Sequence, residues 1–133
     1  MAAKAAYDGP VNAGDAAAWI ATALFPSTAA AGFVLRRFVS GRFAVRLRPH
    51  FVLGYAVFVL ALAHTALAMG AMHMLSATDL WLATLALAGL ALQAFLGASL
   101  QAPGVYRTVL RRLHLATTWS VALFIAAHVL LTI

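Results

Sequence analysis

Apolar residues gather into four stretches of this chain, and polar residues collect in the breaks between them. The first stretch, "DAAAWIATALFPSTAAAGFVL", covers residues 15–35 and contains Pro26. The others cover 49–72, 78–101 and 105–133. A helix of about 20 residues crosses a hydrocarbon core of ~30 Å, so each stretch predicts one spanning helix. The connection "HMLSATD" is short and "QAPGVYR" carries a Pro-Gly turn signal. Short connections make successive helices antiparallel. The pattern therefore predicts an all-α, integral membrane four-helix bundle with antiparallel neighbours. Its second and fourth spans run in the same direction. Residues 1–14 are expected to form a short extramembrane segment, and residues 15–133 a single domain.

Composition strengthens this reading. The chain is 65% apolar and only 9% charged, whereas a soluble domain carries roughly 25% charged residues. So few charges cannot cover a water-facing surface, and lipid is the solvent that remains. The net charge of +6 does not mark a nucleic-acid surface, because the basic residues sit in short stretches beside apolar runs. Arg36, Arg37, Arg42, Arg46 and Arg48 lie between the first two spans, and Arg107, Arg111 and Arg112 lie between the last two. Asp8, Asp15 and Asp79 fall on the other side with Lys4. The positive-inside rule then predicts cytoplasmic arginine loops and both termini on the outer face, as in a bacterial inner membrane. The start of the chain has no apolar core of a cleaved signal, so the first span is expected to direct insertion. Cysteine is absent, which removes disulfides, thiolate metal sites and covalent haem attachment.

The candidate chemistry lies in the histidines. "RLRPHFVLGYAVFVLALAH" places His50 and His64 fourteen positions apart, and "RRLHLATTWSVALFIAAH" repeats the offset with His114 and His128. Fourteen steps of about 100° end roughly 40° short of four full turns, with a rise of ~21 Å. Each pair thus shares a helix face at two depths. On parallel helices, His50 can meet His114 near the arginine side, and His64 can meet His128 nearer the other. Two imidazoles facing each other across a gap suit the two axial positions of a haem iron. Ionisable groups at membrane depth are costly and mark sites or pathways. A single histidine can instead bond a neighbouring helix. His73 falls off the fourteen-residue grid and is expected in an interfacial loop.

The surrounding residues agree with a flat ligand. The second span shows Gly54, Val57 and Ala61 on the histidine stripe, and the fourth shows Thr118, Val121 and Ile125. Gly54 suggests clearance for a macrocycle or, alternatively, close helix packing. Arg48, Arg111 and Arg112 flank the inner pair, where a guanidinium could hold an anionic propionate, besides serving topology. Gln93 is a polar group in an apolar span, open to helix packing or to a quinone. A tetrahedral zinc site would need its ligands clustered, which a ~21 Å offset along one helix forbids.

With "RLH" at His114 and Phe124 four residues before His128, the chain resembles the di-haem b-type membrane cytochromes. These are the four-helix haem core of cytochrome b, the cytochrome b561-like proteins and the ferric-reductase transmembrane domains. The resemblance covers about residues 46–133. It implies that His50 and His114 ligate the iron of an inner haem and His64 and His128 that of an outer one. Both haems would be haem b, held without covalent attachment. The chain departs from cytochrome b in lacking a Leu-Pro after the third ligand, and no flavin or nicotinamide domain is evident.

The expected function is electron relay across the bilayer through two bis-histidine haems. The chain would act as a subunit of a quinone-linked respiratory or electron-transfer complex. Its partners would be membrane lipid and other redox subunits or a quinone, with no nucleic acid. Saturated iron ligation favours electron transfer over catalysis at iron. Two alternatives stand beside it. One is a haem-free membrane anchor or assembly subunit. The other is a stand-alone quinone-linked oxidoreductase acting on a small oxidant.

Overall fold

Two capping boxes open the helices that start on the aspartate side. Asn12 Oδ1 accepts the backbone N–H of Asp15 at 3.0 Å, and Asp15 returns a carboxylate oxygen to the Asn12 N–H at 3.4 Å. Ser76 and Asp79 repeat the arrangement at 3.2 and 3.3 Å. Each pair satisfies N–H groups that a helix start leaves open. Asp15 and Asp79, which the sequence offers as topology signals, therefore also cap helices.

The computed structural model describes residues 12–70, 75–102 and 104–132. His73 and most of the segment 1–14 lie outside the described residues. The helices are α1 (Ala13–Phe38), α2 (Phe43–Arg46), α3 (Arg48–Ala68), α4 (Ala77–Ser99) and α5 (Arg107–Thr132). Among the described residues there is no strand. The four long helices are each long and apolar enough to cross a membrane. Their 21 to 26 residues correspond to roughly 32 to 39 Å, enough for a ~30 Å core. The fold is all-α with four membrane-length helices, as the apolar pattern predicts.

The one-turn helix α2 was not anticipated. It follows Gly41, whose φ of +119° is a conformation that favours glycine. Arg46 pins the segment by donating from Nη1 to the Val39 carbonyl at 3.2 Å. Leu47, between α2 and α3, is buried. Pro49 stands in the first turn of α3, where its missing N–H costs nothing. Pro26 sits inside α1, and Ser27 and Thr28 donate their hydroxyls to the carbonyls four residues back, at 3.1 and 2.9 Å. Such back-bonding is how hydroxyls in apolar helices meet their hydrogen-bonding needs.

Helix α1 lies along α3 and α4 lies along α5, while α3 and α4 touch more lightly. The bundle is two helical hairpins with a thin seam between them. Its core is small: Val57, Leu90 and Val121, with Leu24, Phe25, Phe58, Ala61 and Ile125 packed around them. Trp19, Phe33, Trp81, Phe95, Trp119 and Leu130 point outward. A surface this apolar suits lipid, which solvates it at no hydrophobic cost.

Candidate functional site

The register of α3 against α5 is set by the core. Val57 of α3 and Val121 of α5 are the most buried side chains, at 2% and 0% exposure, and share one cluster. They stand 64 positions apart in sequence, and so do His50 and His114, and His64 and His128. Each valine lies seven residues from both histidines of its helix, so the three share a face. The fold thus stacks histidine, valine and histidine on two parallel helices in matched register.

At the inner level the imidazoles of His50 and His114 meet edge to face. Their ring centroids are 6.3 Å apart and their planes cross at 77°. At the outer level, His64 and Asp79 lie within electrostatic range of His128. All four histidines are half-buried. Among the described residues no three His, Cys, Asp or Glu side chains converge on one point.

Helix α1 orients both histidines of α3. His50 Nδ1 lies 2.8 Å from the Thr28 carbonyl oxygen, and His64 Nδ1 lies 3.0 Å from that of Gly14. A carbonyl only accepts, so each Nδ1 carries the hydrogen and each Nε2 keeps its lone pair. Metal-binding histidines are commonly set up this way. The accepting residues are fourteen apart, as the two histidines are. Close approach of α1 depends on Gly32, where an added Cβ would stand 2.9 Å from His50 Nδ1.

His114 has different neighbours. Its Nε2 is 3.5 Å from the Gln93 amide nitrogen of α4. That nitrogen also donates to the Thr118 hydroxyl. Thr118 passes its own hydrogen to the His114 carbonyl at 2.8 Å.

A cavity of about 530 Å³ opens between the hairpins at the inner level. His50, His114, Gln93, Gly54 and Gly97 line it, with Arg36, Arg107 and Arg111 at its arginine end. Neither His64 nor His128 lines it. Of the arginines singled out from sequence, Arg111 reaches the cavity, while Arg48 and Arg112 are not among its lining residues. The reason is angular. Each of those two stands two residues before a histidine, roughly 200° around the helix. Arg111 is about 60° and Arg107 about 20° from the His114 direction, so Arg107 was readable from spacing. Arg36 was not, because only packing brings the end of α1 beside His50.

Gly54 faces the cavity, and a Cβ there would meet only Thr28 Cγ2, at 3.8 Å. It is not a point of tight helix contact. Such points include Gly14 against Leu67, Gly32 against His50, and Gly89, where a Cβ would stand 2.5 Å from Val121 Cγ2.

No protein-family model, curated protein or solved structure matches this chain.

Proposed function

We propose that this chain is a b-type membrane cytochrome that relays electrons across the bilayer through two bis-histidine haems. His50 and His114 would hold the inner iron and His64 and His128 the outer one. The observation that carries the reading is that His50 and His114 line one cavity together, with their ring centroids 6.3 Å apart. Two metal–nitrogen bonds of ~2 Å, plus the distance from each nitrogen to its ring centre, would put two imidazoles that hold one metal roughly 6 Å apart. The lone pair left on His50 Nε2 and the cavity size, within the ~300–1,000 Å³ usual for ligand pockets, support it further.

Bound haem would supply a reversible ferric/ferrous couple. The chain's own groups do the rest. The Thr28 and Gly14 carbonyls hold the tautomers of His50 and His64. Arg36, Arg107 and Arg111, at the cavity end, provide donors for anionic propionates. With two histidines to hold each iron, bound haem would supply electron transfer rather than chemistry at iron. Val57, Leu90 and Val121 keep the two levels apart with packed hydrocarbon. The positive-inside rule orients the arginine end to the cytoplasm of a bacterial inner membrane, with both termini outside. Electrons would pass to and from a quinone or other redox subunits. A haem-free anchor has no use for a cavity lined by two imidazoles, because membrane helices associate by close packing.

The test is haem quantification with reduced-minus-oxidised spectra on gently purified protein. Two extractable haems b per chain are expected. Protein that carries none, or carries haem that resists extraction, would refute the reading.

A further inference from the structure

The two members of the inner pair are held in different ways. His50 is fixed by a backbone carbonyl at its rear nitrogen, and Nε2 is left open. His114 has its Nε2 turned toward Gln93 of α4, and its Cε1 would lie 3.6 Å from a Cβ at Gly97, also of α4. The imidazole tip therefore rests on α4. Gln93 is itself anchored, because its amide nitrogen donates to Thr118 and Thr118 is tied to the His114 carbonyl. Gln93 Oε1 and His114 Nδ1 are buried without hydrogen-bond partners. Unpaired buried polar atoms are costly, so this arrangement of the two side chains is a poor resting place once an alternative is offered.

We infer that Gln93 parks His114: it occupies the nitrogen that the inner cofactor needs, so the site is built on His50 and completed when His114 leaves Gln93. The inference rests on the haem reading above. It makes Gln93 and Thr118 positioning residues. It also sets an order, in which the preset ligand of α3 engages before the parked ligand of α5. The exchange breaks a long amide–imidazole hydrogen bond and frees the His114 lone pair for the metal, with no change in oxidation state.

The test uses the full chain prepared without haem and mixed with ferric haem in detergent. It is run alongside the His64→Ala chain, in which only the inner level keeps both ligands. The readout is the rate at which the low-spin, two-histidine spectrum appears. Gln93→Ala and Thr118→Val should each speed its appearance at the inner level up to about fivefold, the factor equivalent to one hydrogen bond of ~1 kcal/mol. Unchanged or slower rates in both variants, with helicity intact, overturn the inference while leaving the haem reading in place. Failure of the parent chain to bind haem overturns both.

Discussion

The imidazole of His50 donates from Nδ1 to the main-chain carbonyl of Thr28 at 2.8 Å, across the interface between α3 and α1. This bond fixes the tautomer, the ring direction and the free nitrogen of one residue at once. It involves no side-chain partner, so replacing Thr28 by valine or alanine leaves the acceptor in place. The distance between the helices is what matters, and Gly32 sets it.

Gly32→Ala should therefore disturb the inner level more than any change at Thr28. The added methyl would stand 2.9 Å from His50 Nδ1, so ring or helix must shift and the Thr28 bond is weakened. Haem titration of the two variants side by side checks this. Gly32→Ala is expected to lose inner-level affinity about tenfold, matching the ~10–100-fold cost of losing an outer-shell partner. Thr28→Val should stay near the parent value.

Gly54 separates clearance from helix packing. A methyl there meets only Thr28 Cγ2 at 3.8 Å, so Gly54→Ala should fold normally. Gly54→Phe would fill the cavity, and it should cut bound haem from two per chain to one. Haem counting beside circular dichroism measures both. Full haem content in the phenylalanine variant would mean that the cavity is not the haem slot.

The arginines divide by angle. Arg107→Gln and Arg111→Gln should weaken inner-level haem binding, because both side chains line the cavity. A charged hydrogen bond of ~1.5–3 kcal/mol, lost from a partly exposed site, implies roughly three- to tenfold at most after solvent screening. Arg48→Gln and Arg112→Gln should leave it unchanged. Equal losses in all four would point to overall charge rather than to specific contacts.

Gly89 tests the separation of the two levels. A methyl there would lie 2.5 Å from Val121 Cγ2, in the most tightly packed part of the core. Gly89→Ala should destabilise the bundle by about 1–3 kcal/mol, the usual cost of overpacking. Adding Val121→Ala should recover part of that loss, as expected of neighbours in direct contact. Unfolding in mixed detergent micelles measures the pair.

Much of the architecture was legible in the residues. Four apolar runs of spanning length and turn signals at their ends predict the four long helices, because hydrophobic length and breaker residues act locally. The histidine stripes were legible for the same reason, since helix periodicity alone puts His50, Val57 and His64 on one face. The angular positions of Arg107 and Arg112 relative to His114 were also there to be read. Arg112 is close to His114 in sequence, which on a helix does not mean closeness in space.

What the sequence determines by itself follows from the repeat of one helix: spans, faces, and the equal spacing of the two histidine pairs. The tertiary structure decided what lies across each face. It brought the Thr28 and Gly14 carbonyls onto His50 and His64, laid Gln93 against His114, and placed Arg36 at the cavity end. These partners are 21 to 50 positions apart along the chain, and two of them are backbone atoms that every residue type carries. No local pattern marks such an acceptor. Only the docking of α1 on α3 and of α4 on α5 selects it, through the close approach that glycines 32 and 89 permit.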